Sequence, residues 1–188
     1  MRLTILLLAA AAYAQAQSSK PPAAGLEPAW DMAVVLEEIS AHAGRLLPAL
    51  NHLNPPAWVA MGGSDTYVDQ QESSRRQVLA IIDEAQALSR NPEKLSGALQ
   101  LFFRMEGLET MLNSLQEGAR KYQGPQVAQS LAALFGEGGA NRERLRGYII
   151  NLASEREHQF EVMDREAQRC RATLMAPPPP PKTSGRKK

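Results

Sequence analysis

Residues 32–53 read MAVVLEEISAHAGRLLPALNHL, and their spacing decides the fold. Met32, Leu36, Ile39, Ala43, Leu46, Leu50 and Leu53 recur at alternating steps of four and three, the repeat of one face of an α-helix. A stripe that long has to be buried against neighbours with the same period. Pro28, just ahead of it, suits the first turn of a helix. Pro48 lies inside the stripe, where it lacks a donor and meets the preceding turn, so the helix is expected to kink or restart near Leu47.

The period returns downstream. Asn54, Pro55 and Pro56 close the first helix, and the loop expected after them carries Trp58, Val59, Met61, Gly62 and Gly63, with Trp58 folded over the open end of a bundle. Ser64 or Asp65 can cap a second helix reaching about Ser89, whose inner face holds Val78, Ile81, Ile82, Ala85 and Leu88. Its first half, from Gln70 to Arg76, is polar, which predicts exposure to solvent or to a partner. Asn91, Pro92 and Glu93 are expected to open a third helix with Ala98, Phe102, Met105, Leu108, Leu112, Leu115, Ala119 and Tyr122 on one face. Gly97, Gly107 and Gly118 interrupt it at about 1 kcal/mol each relative to Ala, a cost that a closely packed neighbour would offset.

Gly124 and Pro125 stop one helix and start a short one, with Val127, Leu131, Leu134 and Phe135 inward. Residues 136–139 (GEGG) break it. The last helix is expected from near Asn141 to Met175, on the order of 50 Å long, with Leu145, Ile149, Leu152, Phe160, Met163, Ala167, Cys170 and Leu174 along one side. Strand patterns and fixed-period repeats do not emerge. The chain therefore reads as all-α, an antiparallel helical bundle of four long helices plus one short helix over residues 29–175, with disordered N- and C-terminal ends.

The ends carry their own signals. Arg2, the apolar run of residues 3–12 (LTILLLAAAA) and the small-x-small sites ending at Ala14 and Ala16 make residues 1–16 a signal peptide, cleaved before Gln17. The run is short of the roughly 20 residues a spanning helix needs, so the processed chain is expected to be exported and not transmembrane, in the periplasm or secreted. Residues 17–28 (QSSKPPAAGLEP) read as a flexible leader and residues 176–188 as a disordered tail, polyproline followed by Lys182, Arg186, Lys187 and Lys188.

The 188-residue chain has 21 basic and 20 acidic residues; losing Arg2 leaves 20 of each. Four of the remaining cations sit in the tail, so residues 17–181 hold 16 basic against 20 acidic residues, a mildly acidic body. That distribution argues against nucleic-acid binding, which calls for a basic stripe on the folded part. The tail is expected to make at most weak contact with anionic surfaces. Cys170 stands alone, so no internal disulfide framework exists; the thiol is expected to be a small buried apolar group, with a homodimer linked through the last helix and Cys170 as the alternative.

Chemistry finds little foothold. A dinuclear site in a bundle needs two Glu-x-x-His pairs and two more Glu, whereas this chain offers Glu155 with His158, Glu38 with His42 and the pair Glu106 and Glu109, none on an apolar stripe. His42, His52 and His158 read as surface residues, Cys170 has no histidine partner in sequence, and the glycine clusters at 62–63 and 136–139 lack the strand context of a nucleophile elbow or phosphate loop. No catalytic, cofactor-binding or metal residue is assigned and no cofactor is expected. The expected role is a non-enzymatic interaction or structural component of the cell envelope, with an unidentified protein or envelope component as partner. The alternatives are a periplasmic chaperone or stress sensor and, less favoured, a metal-binding bundle.

Overall fold

The stripe at residues 32–53 folds as α1 (Ala29–His52) in the computed structural model, which describes residues 29–175. All seven stripe residues are buried, and Val35 joins them. The helix does not restart at Pro48. That ring faces solvent, the residue four positions back is Gly44, which has open space where a side chain would be, and Leu46 and Leu50 are buried on either side of it.

Three further long helices complete an antiparallel bundle: α3 (Thr66–Ser89), α4 (Leu95–Tyr122) and α6 (Gly139–Met175). Among the described residues every element is helical. Helices α1 and α4 lie diagonally opposite, each packed on both α3 and α6. The α3–α4 seam is pinned by Glu84, which takes Nε and Nη2 of Arg104 at 2.9 and 2.7 Å and Nε2 of Gln100 at 2.8 Å. Hydrogen bonding to that carboxylate raises the Arg104 pKa above its already high ordinary value.

The segment expected to be a loop contains a short helix, α2 (Pro55–Ala60), capped by the Asn54 side-chain Oδ1, which accepts from Ala57 N–H at 3.3 Å. Helix α2 seats Trp58, 1% exposed, over the end of the bundle, edge-on to Tyr67 (5.5 Å between centroids) and stacked on Tyr122 (6.3 Å). Gly62, with φ of +89°, turns the chain back toward α3. Part of the polar start of α3 is used within the fold, while Glu72, Arg75 and Arg76 stay exposed: Gln71 Nε2 donates to the carbonyls of Leu50 and Leu53 at 2.6 and 2.9 Å, and Gln70 accepts from Ser114 at 2.8 Å. From α4, Gln123 Nε2 donates to the His52 carbonyl at 2.8 Å and its Oε1 accepts from Asn54 N–H at 3.2 Å. These amides satisfy the orphan groups at the exit of α1.

Helix α4 opens at Leu95, later than Asn91 and Pro92 suggested. Asn91 N–H donates to Leu88 O at 2.9 Å and Lys94 N–H to Asn91 O at 3.2 Å, so these residues form the exit turn of α3.

The decisive feature is the division of the fourth bundle position. Helix α5 (Pro125–Gly136) fills it along the second half of α1, beside Ala49 and Leu53. Helix α6 therefore starts halfway down, at Glu38 and His42 of α1 and Glu106 and Glu109 of α4, and runs antiparallel to both. It reaches the beginning of α4 at Arg156, whose Nη2 lies 3.5 Å from Glu93 Oε2, and continues for nineteen more residues to Met175. At about 1.5 Å per residue this overhang is roughly 28 Å long. The signal peptide, leader and tail expected at residues 1–16, 17–28 and 176–188 lie outside the described residues.

Candidate functional site

Two places on α6 merit chemical scrutiny: its first turn and its overhang. At the first turn, Gly138 is required by close approach, since a Cβ there would meet the His42 ring at 2.5 Å. His42 Nε2–H donates to the Leu134 carbonyl at 2.7 Å, tying α1 to the end of α5. One turn on, Arg142 points inward. Its Nη1 bonds Glu109, its Nε lies 3.8 Å from Glu106 Oε1, and its guanidinium carbon is 5.4 Å from the Phe135 ring centroid. Asn141 Nδ2 donates to Glu38 Oε2 at 2.9 Å.

Four of the six residues considered as metal ligands, Glu38, His42, Glu106 and Glu109, are thus gathered around residues 138–142. The cation that collects the glutamate pair is Arg142, and the remaining oxygen and ring nitrogen are spent on Asn141 and a backbone carbonyl. Glu155 and His158 are remote from this set, toward the overhang, where Glu155 accepts from Gln159 at 2.9 Å. Among the described residues, no group of three or more His, Cys, Asp or Glu converges as a metal site would require. The crevice beneath Arg142, lined by Ile39, Ala43, Leu46, Met105 and Leu108, holds about 30 Å³, room for a water or a methyl group rather than a substrate.

Arg142 was not foreseen from the sequence. The signal available was the Glu106 and Glu109 pair on one helix face, which calls for a cation from a neighbouring element. Tyr148 was also missed: it is buried between the helices, and its burial, with Glu93 as the second cause, raises its pKa.

The overhang corrects a second expectation. Leu145, Ile149 and Leu152 are buried as the stripe required, but Phe160 is 71%, Met163 63% and Leu174 86% exposed, and Ala167 and Cys170 are exposed between them. Cys170 is a free, solvent-facing thiol rather than a buried one. The helical period is unbroken; what ends is the neighbouring helices, because α4 begins at Leu95, beside Arg156. Within the overhang the polar face is knitted by Gln168 Nε2 donating to Asp164 at 2.7 Å and Arg165 Nε to the Glu161 carbonyl at 3.2 Å.

Family models, curated proteins and solved structures provide no match to this chain. No helix among the described residues is long and apolar enough to cross a membrane.

Proposed function

We propose that this chain is a non-enzymatic interaction component of the cell envelope, exported by its first sixteen residues and acting through the overhang of α6. The observation that supports the reading is the uncovered continuation of the bundle-facing stripe along Phe160, Met163, Ala167, Cys170 and Leu174. An isolated helix of this length is marginal in water, and a contiguous apolar strip on such a helix is a contact surface by composition. The chaperone alternative calls for an open apolar concavity; the crevice beneath Arg142 holds only about 30 Å³, and the place left for a client is the shallow cleft of about 310 Å³ between α1 and α5, lined by Ala49, Leu53, Val127, Leu131 and Leu134. A metal-binding role would have to displace Arg142 from Glu106 and Glu109.

The test is site-specific photo-crosslinking in intact cells, with the reactive group at Met163 and a control at Leu79, an exposed apolar residue of α3. Adducts at 163 and not at 79 are expected. A clean absence at 163 would overturn the role given to the overhang. Cell fractionation and N-terminal sequencing check export, with Gln17 as the expected first residue. Deleting residues 182–188 is expected to weaken binding to anionic vesicles in low salt by about 1 kcal/mol per charge near the surface.

A further inference from the structure

We infer that the occupant of the overhang is a second copy of this chain, paired antiparallel through residues 156–175 of α6. The inference rests on the interaction role proposed above and adds the partner and the register.

The side of α6 that faces the bundle runs 145, 149, 152, 156, 160, 163, 167, 170, 174, steps of three and four that keep it on one side of a straight helix, apolar at every position but Arg156, which pairs with Glu93. Along its first part that side is occupied by α1 and α4. A parallel partner laid on the open part would continue into the volume those helices fill. An antiparallel partner does not, because its last residues point at the N-terminal end of α4 and its own bundle lies beyond Met175. The lengths agree: with residue 165 at the two-fold axis, Leu174 of each copy faces the partner's Arg156, so each helix ends where the other bundle begins.

That register places large side chains on small ones. Phe160 faces the partner's Cys170, and Met163 faces the partner's Ala167, each contact occurring twice, in the a-to-d layering of an antiparallel coiled coil. Shifting the partner by a heptad either drives it into the bundle or carries Phe160 past the end of the helix. At the flanks Glu157 lies beside the partner's Arg171, again twice, while Asp164 and Glu166 meet their own copies near the axis. The pair is therefore held by apolar layers and two ion pairs against a local repulsion near the axis, and salt screens the ion pairs and the repulsion alike. The face buried in the pair is continuous with the face α6 already buries inside its own bundle.

Light scattering and sedimentation of the full chain, purified as its host processes it, test the pairing. Concentration-dependent dimers are expected, weakened at least tenfold by Met163→Glu and tightened by Asp164→Asn with Glu166→Gln. Small-angle scattering of the unaltered dimer is expected to show two bundles at opposite ends of one rod. Cys170 lies about 15 Å along the axis from the partner's Cys170 in this register, ten residues at 1.5 Å each, so the unaltered chain is expected to resist oxidative cross-linking, whereas Phe160→Cys links readily. A monomer at every concentration, two bundles side by side, or rapid Cys170 cross-linking in the unaltered chain would overturn the inference. A monomer that still gives Met163 adducts to another protein in cells, to residues 1–28 or to lipid overturns only this inference and leaves the interaction role standing.

Discussion

A Cβ at position 118 would lie 2.7 Å from Cζ3 of Trp58 and 3.0 Å from Cε1 of Tyr67, so the absence of a side chain at Gly118 is what lets α2 press its indole onto α4. Gly118→Ala tests this directly. In an open helix the change would stabilise by about 1 kcal/mol, but here the overpacking dominates and a loss of about 1–3 kcal/mol in urea denaturation is expected. Gly147→Ala in α6, where the added methyl meets nothing within 4 Å, is the matched control and is expected to gain about 1 kcal/mol. Equal effects at both positions would refute the seating of Trp58 on Gly118.

Arg142→Ala removes the cation that joins the start of α6 to Glu106 and Glu109, and its stem from Phe135. Its side chain is 21% exposed, so screening is incomplete and the two carboxylates are left to repel each other. A destabilisation of about 1–2 kcal/mol is expected, smaller at high salt. If a divalent cation restores the lost stability of the variant, then the glutamate pair can take a metal once its native cation has gone; no restoration is expected.

The stripes of α1, α3 and α4 were legible because helical period and burial coincide there: Met32 to Leu53, Val78 to Leu88, and Leu108 to Ala119 face the core as spacing alone required. The same rule misplaced Phe160 to Leu174, since periodicity reports which side of a helix is apolar and not how far its neighbours extend. That limit was set by α5 taking half of the fourth position, a consequence of lengths summed over three helices. Side-chain amides were the other blind spot. Gln70 and Gln71 read as exposed by composition, yet Gln70 accepts from Ser114 of α4, and only the folded geometry brings the exit of α1 within reach of Gln71 and Gln123.

Tyr148 makes stability fall on the alkaline side. Burial raises its pKa above the ordinary value near 10, with Glu93 adding in the same direction and Arg156 opposing. The folded state therefore holds a proton that the unfolded state has begun to lose, so the contribution is intact below about pH 10 and declines as pH rises toward the folded pKa. Tyr148→Phe is expected to flatten that decline. At neutral pH the variant should be unchanged or up to about 1 kcal/mol more stable, because the buried hydroxyl it removes has no hydrogen-bond partner among the described residues. An identical alkaline slope in both proteins would mean the hydroxyl is not buried.

Hydrogen exchange separates the two halves of α6. Amides of residues 145–152 sit against α1 and α4 and open only with the bundle, so their protection is expected to approach the global stability at any protein concentration. Amides of residues 157–175 have no such cover among the described residues and are expected to exchange within a few orders of magnitude of the free rate in dilute solution. If a second copy covers them, their protection rises with concentration while that of residues 145–152 stays fixed. Ending the chain at Arg156, which keeps the contact to Glu93, is expected to leave the unfolding free energy of the bundle in urea within about 0.5 kcal/mol of that of the dilute full chain and to abolish the concentration dependence. Protection of residues 157–175 equal to that of the bundle at every dilution would place their cover inside the same chain and remove the overhang as a contact surface.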